Sequence, residues 1–333
     1  SLNDDEVFIE YFMGEKTLFT FAFTARDHRV SRTPLADQLT QNAKAIQLLS
    51  QRLLGPYSKA EKDFRKVAHL LYQNLILPVE QIFPDSASLI IIPDGWLGLL
   101  PFEAMVKDTS RKERQKIPHF LLMEYPFAFD HSATIFFQKR RGAFSSEPTR
   151  FLGFFPENQD QRKIEHNLAT YQSLFRGRFL GGSKASKKSL LEYLDKHQGV
   201  VHLSAHGRTD TSNYLLSSMY LSDEEIFAWE IFEREIAAAH IVLPVCESGV
   251  GEVIESEGIM SLARAFSYAG CPSVLTSLWK TNASSNLNQI LPAYYEGLKQ
   301  GMKKSKALQR AKLAYLAKSK GYEQHPYFWS SLI

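Results

Sequence analysis

The 333-residue chain is 44% hydrophobic and 12% aromatic, enough to bury a large core in about two domain-sized units, which excludes a disordered chain. Its formal charge of +3, from 39 basic and 36 acidic residues spread along the sequence, gives no single-sign field that would draw nucleic acid or a membrane surface. Two cysteines, Cys246 and Cys271, are too few for a disulfide framework or a cysteine-ligated zinc site and point to a reducing, cytoplasmic setting.

The opening SLNDDEVF has no initiator Met and no basic-then-apolar leader, and no apolar run is long enough to span a bilayer. The expectation is a soluble protein, or a piece cut from a longer one. Val7 to Val30 is dense in aromatic and β-branched residues around a Gly14-Glu15 turn, which predicts a β-hairpin followed by an extended polar segment. From Leu39 to Ile82, leucines and alanines recur at helical spacing, broken by Gly55-Pro56 and stopped by Pro78, which predicts two helices. Leu89 to Ile92, before Pro93-Asp94-Gly95, predicts a short buried strand. Lys107 to Lys116 is a charged surface loop, and Arg140 to Arg150 has the composition of a linker, dividing an N-terminal domain (1–145) from a C-terminal one (146–333).

Beyond the linker, short apolar runs alternate with helical patterns: FLGFF, a helix through Leu168 and Leu174, another from Ser186 to His197, VVHLSA, IVLPV, a helix from Glu257 to Tyr268, then SVLTSLW. This is the pattern of βαβ units, an α/β fold with a mainly parallel sheet between helices. Two helices separated by Gly301 close the chain.

In such a sheet, reactive groups collect past the carboxyl ends of the strands. One run, Val200 to Ala205, leads into His206-Gly207, and another, Ile241 to Val245, leads into Cys246-Glu247-Ser248-Gly249. A thiol at a strand end becomes a nucleophile when a histidine manages its protons, and His206 and Cys246 supply that pair. Glycine after His206 lets the backbone approach a peptide, so the Gly207 and Cys246 N–H groups can form an oxyanion hole. Their separation of 40 residues is near the roughly 50 of the caspase His and Cys. Cys271, between Gly270 and Pro272, reads as a small buried thiol, and His202 as a packing residue in mid-strand. Asp210 and Glu247 can orient His206, bind a substrate cation or sit solvated on loops, and Trp279 is a better candidate groove residue than Trp229. No phosphate-binding loop, dinucleotide fingerprint, G-x-S-x-G elbow or H-E-x-x-H zinc motif occurs, so no cofactor and no metal is expected.

VVHLSAHG (Val200 to Gly207), IVLPVCESGVGE (Ile241 to Glu252), SEGIMSLARAFSYAGCPSVLTSLW (Ser256 to Trp279), KALQRAKLAYL (Lys306 to Leu316), the terminal HPYFWSSLI and the earlier IIPDGWLGLLPFEAM stand in an order that resembles the CHAT domain. That family is a caspase-like cysteine peptidase module related to separase and often found after tetratricopeptide repeats. The resemblance implies an active caspase-like α/β/α sandwich preceded by an inactive peptidase-like α/β domain, with His206 and Cys246 as the dyad. It further implies a protein substrate and control by an upstream repeat domain or regulatory partner. Bacterial relatives act in cell death and anti-phage defence, which makes a gasdermin-like pore former a candidate substrate. The chain departs from the family pattern at Pro244, at Cys271 and after Trp279, where Lys280-Thr281-Asn282 replaces the usual acidic residues. With Asn282 in place of a carboxylate to pair a guanidinium, the preference before the cut shifts from arginine towards an apolar or small residue. A catalytically silent interaction module and another thiol acyl transferase are the alternatives.

Overall fold

The protein is described from a computed structural model covering residues 1–35, 57–108, 117–141, 150–156, 169–210, 212–244, 251–254, 258–279 and 286–333. The aromatic opening forms the expected hairpin of β1 (Glu6–Met13) and β2 (Thr17–Phe23), with Phe12 opposite Phe19 and the Gly14 N–H donating to the Thr17 carbonyl at 2.9 Å. The polar segment after it is a third strand, β3 (His28–Pro34), whose mostly exposed residues suit a sheet edge. Of the two helices expected before Ile82, the second is α1 (Tyr57–Leu75), and the first lies outside the described residues. The apolar run is β4 (Ser88–Ile92), buried throughout and parallel to both β1 and β5 (Phe127–Phe129), which gives the order β3-β2-β1-β4-β5.

The linker reading needs correction at its start. Arg140 and Arg141 end a helix, α2 (Ala133–Arg141), and Arg140 reaches the Glu6 carboxylate at 2.9 Å. Residues 142–149, with the 145/146 boundary, and the loop residues 109–116 lie outside the described residues.

The second sheet is built from β6 (Phe151–Phe155), β7 (Gly177–Gly181), β8 (Val200–Leu203), β12 (His240–Val242) and β15 (Val274–Leu275). Its order is β15-β12-β8-β6-β7, with every pair parallel. Between these run α3 (Lys187–Leu194), the short strands β9 (His206–Arg208), β10 (Ser218–Tyr220) and β11 (Glu225–Phe227), α4 (Ala228–Phe232), the hairpin β13 (Gly251–Ile254) and β14 (Gly258–Ser261), and α5 (Leu262–Tyr268). The helices α6 (Leu287–Lys299) and α7 (Lys304–Lys318) follow, joined through Gly301 at φ 78°, a left-handed turn that glycine adopts without strain.

Period-2 alternation sends the strand residues to two cores. Leu152, Phe154, Val201, Leu203, Ile241 and Leu243 pack with α3, α4 and α5 on one face. Phe151, Phe155, Val200, Val242 and Leu275 pack with α6 and α7 on the other, in a core continuous with that of the first sheet. The result is the α/β/α sandwich implied by the sequence. One helix is shorter than expected: Gly258–Ser261 is a strand, and α5 begins only at Leu262, where the Ser261 hydroxyl accepts the Arg264 N–H at 3.3 Å as an N-cap.

Two sets of buried polar contacts fix this arrangement. Lys312 on α7 is fully enclosed, and its ammonium donates to Glu103 Oε1 at 2.5 Å and to the Leu332 carbonyl. Burial pushes the Glu103 carboxyl up and the Lys312 ammonium down, and each group's charge opposes the other's shift. Leu332 in turn bridges Ser277, and Ile333 and Thr276 exchange N–H···O bonds of 3.0 Å, extending the line of β15. The second set is a pair of struts from α6: the Tyr295 hydroxyl meets His202 Nδ1 on β8 at 2.7 Å, and the Tyr294 hydroxyl meets His240 Nε2 on β12 at 2.7 Å. His240 Nδ1 lies 3.2 Å from the Ser273 carbonyl, which assigns the proton to Nδ1 and makes Tyr294 the donor to Nε2. Burial drives both imidazoles down to about 3, so both are neutral in the folded chain.

Lys312→Met leaves Glu103 buried and unpaired and is expected to cost about 3–5 kcal/mol in denaturant unfolding, most of it recovered in Lys312→Met with Glu103→Leu. A cost below about 1 kcal/mol for the single variant would contradict this role for the pair. An unfolded histidine binds a proton near pH 6.5, whereas His202 and His240 do not until about 3. Stability is therefore complete above that unfolded value and is lost as the pH falls towards 3, by about 1.4 kcal/mol per pH unit for each group. His240→Gln should lower the measured slope between about pH 6 and 4 by about 1.4 kcal/mol per unit, whatever its absolute stability.

Candidate active site

β8 ends at Leu203, but the Ser204 N–H still donates to the Phe154 carbonyl at 3.0 Å, so the chain stays tied to the sheet until two residues before His206. It then leaves to form β9, which pairs antiparallel with β10, Tyr220 opposite His206 and Met219 opposite Gly207. β10 pairs on its other side with β11, where the Ser218 hydroxyl donates to the Glu225 carboxylate at 2.6 Å. His206 is exposed, and its imidazole makes no hydrogen bond or ion pair among the described residues. A histidine held by strand pairing, with no bond to either ring nitrogen among the described residues, is available to a substrate or a thiol.

β12 lies beside β8 in parallel register, Val242 opposite His202. Its line extends past Val242, since the Leu243 N–H donates to the Leu275 carbonyl at 2.8 Å. After Pro244 come residues 245–250, which contain Cys246 and Glu247 and lie outside the described residues, as does Asn282. The chain returns at Gly251 as β13, paired with β14 from Gly251 opposite Ser261 to Ile254 opposite Gly258.

The other candidates take distinct places. The Asp210 carboxylate accepts the N–H groups of Ser212 and Asn213, each at 2.9 Å, and the Asp210 N–H donates to the Ser217 hydroxyl at 3.0 Å. Those backbone bonds, the Asn213 one first, hold its carboxyl below the usual carboxylate range. Asp210 thus bonds to the backbone after β9, and no hydrogen bond or ion pair joins it to His206 among the described residues. The tryptophans reverse the expected order: Trp279 is buried, its indole N–H donating to the Tyr327 carbonyl at 3.2 Å, whereas Trp229 is exposed. Trp279 is therefore a buried packing residue rather than an exposed groove wall. Cys271 is buried, its thiol donates to the Ser273 carbonyl at 3.1 Å, and burial pushes it up to about 11, which makes it an inert thiol. Among the described residues no group of three His, Cys, Asp or Glu side chains could hold a metal ion, and no helix is long and apolar enough to cross a membrane.

One supporting element escaped the sequence reading. The turn Gly95–Leu99 of the first half lies against the β13–β14 hairpin. It is set by Asp94, whose carboxylate accepts the Met13 N–H at 2.7 Å, and by Gly95 at φ 51°, where a Cβ would collide with the end of the Met13 side chain at 2.1 Å. The Pro-Asp-Gly sequence after a buried strand signals such a turn but not what packs on it.

No curated protein matches the sequence. The model of the family described as CHAT domain matches residues 65–333, from α1 through the first sheet's β4 to the end of α7 and beyond. With that match over most of its length and a mainly parallel α/β/α sheet whose adjacent strands lead to His206 and towards Cys246, the chain belongs to the CHAT domain family, a branch of the caspase-like cysteine peptidases.

Proposed function

We propose that the chain is a cysteine endopeptidase in which His206 and Cys246 act as a dyad on a protein substrate. The observation that carries this reading is the parallel pairing of β8 with β12: one strand leads to an exposed histidine with no bonded partner among the described residues, and the next leads into the segment holding Cys246.

In the reaction, neutral His206 takes the proton of the Cys246 thiol, the thiolate attacks the scissile carbonyl carbon, and the electron pair of the C=O moves to oxygen, where the Gly207 and Cys246 N–H groups receive it. Collapse of this intermediate breaks the C–N bond, and protonated His206 gives its proton to the leaving amine, leaving an acyl thioester. Neutral His206 then takes a proton from water, the hydroxide adds to the thioester carbonyl, and the thiolate departs with the carboxylic acid product. The order of β9 against β10 and β11 supplies the rigidity that such positioning needs.

Lys280-Thr281-Asn282 offers no carboxylate for a guanidinium, which supports an apolar or small residue before the cut. Family membership supports control by an upstream repeat domain or partner, and a place in bacterial cell death or defence with a gasdermin-like substrate rests on that analogy.

Incubating the chain with a bacterial proteome and reading new N-termini by mass spectrometry should give cuts with the wild type that fall by about 10²-fold or more in His206→Ala and vanish in Cys246→Ala. An identical fragment pattern from wild type and Cys246→Ala would rule the proposal out.

A further inference from the structure

A cavity of about 390 Å³ lies between the two halves of the molecule, away from His206. The first half contributes β5, the segment Asp130–His131 and α2, and the second contributes α5, β15 and the start of α7. Much of its wall is apolar, with Ile90, Phe127, Phe136, Val274 and Leu308 among the lining residues.

The charged side chains in the wall are four cations, Lys139, Arg140, Arg264 and Lys304, and one carboxylate, Asp130. Lys139 is matched by Asp130, at 3.2 Å to each carboxylate oxygen, and Arg140 by Glu6 behind it. The Arg264 guanidinium also lines the cavity and donates to the Tyr268 hydroxyl at 3.1 Å. Lys304 is different. It faces the same space, has no ion pair or hydrogen bond among the described residues, and is held below the usual lysine range chiefly by burial. His131 also faces the cavity without a side-chain hydrogen bond among the described residues, and burial, then the nearby Arg264 and Lys139, bring it down to about 3, so it stays neutral and keeps one ring N–H to donate.

A half-buried ammonium without a counterion is costly, and an apolar chamber of this size with a few convergent polar groups has the dimensions of a small-molecule site. We propose that this cavity binds a small amphipathic anion, its carboxylate, sulfonate or phosphate head paired with Lys304 and hydrogen-bonded by His131, and its apolar body against Phe136 and Leu308. A ligand seated there touches both halves at once. It also touches Ser261 and Arg264, at the start of the helix that directly follows the β13–β14 hairpin.

The probe is 8-anilinonaphthalene-1-sulfonate, with neutral N-phenyl-1-naphthylamine as the same ring system lacking the charge, both titrated by fluorescence into the full chain carrying Cys246→Ala. Because no cleavage is read, a negative result here leaves the peptidase reading intact, and loss of that reading leaves this one standing. The sulfonate should occupy a single saturable site whose Kd rises about tenfold or more in Lys304→Met, while the neutral probe changes by less than about threefold. Ser305→Trp, which places an indole at the cavity wall, should remove the binding of both probes. Unchanged sulfonate affinity in Lys304→Met, or saturable binding that survives Ser305→Trp in a chain with wild-type circular dichroism, would overturn the proposal.

Discussion

β8 and β12 run side by side in the same direction, and most of the candidate site's logic follows from that. Parallel neighbours leave a sheet at the same edge, roughly 4.8 Å apart, so the residues after them start out close. The pairing is pinned from below by α6, whose consecutive Tyr294 and Tyr295 each reach a histidine, one on each strand. The two hydroxyl contacts constrain sliding of one strand against the other, because a one-residue slip would turn His202 or His240 into the opposite core. His202 is enclosed by Phe151, Phe155 and Tyr171, and His240 packs against Tyr294; both neutral imidazoles are structural rather than reactive.

The first half of the chain supports the second through a small number of specific contacts. Glu103, in the segment Ile91 to Met105, is the partner of Lys312, in the helix that carries the KALQRAKLAYL motif, and the same ammonium holds the Leu332 carbonyl. Leu332 and Ile333 pair with Ser277 and Thr276, directly before Trp279 and the residues that include Asn282. The Gly95–Leu99 turn, set by Asp94, lies against the hairpin that follows Cys246 in sequence. Motifs that are far apart in sequence therefore meet at one buried ion pair and one turn. A buried pair of this kind is weak evidence for net stability, but removing one partner is expensive, which ties both motifs to the same fold.

Much of this was legible in the sequence because local patterns carried it. The Gly14-Glu15 hairpin, the buried Leu89–Ile92 strand, the strands leading to His206 and towards Cys246, and the two closing helices all follow from hydrophobic period and turn residues. Most of what was hidden depended on contacts distant in sequence. Arg140 looked like the start of a linker because of the composition of Arg140 to Arg150, whereas Glu6, 134 residues away, pairs it on a helix. Gly258–Ser261 looked helical because its apolar residues also suit a helix, but pairing with β13 and the Ser261 cap made it a strand. Trp279 looked like a groove residue until the Tyr327 carbonyl, 48 residues on, took its indole N–H. His206 was found by its strand-end position and following glycine, a signal that needs no long-range partner.

The central claim is that His206 governs the Cys246 thiol, and the pH dependence of Cys246 alkylation tests it most directly. Iodoacetamide rates, followed by peptide mass spectrometry, should show a wild-type thiol ionising below the free-cysteine value of about 8.5, and His206→Ala should return it to about that value with slower reaction at neutral pH. Superimposable rate–pH curves for wild type and His206→Ala would contradict the account.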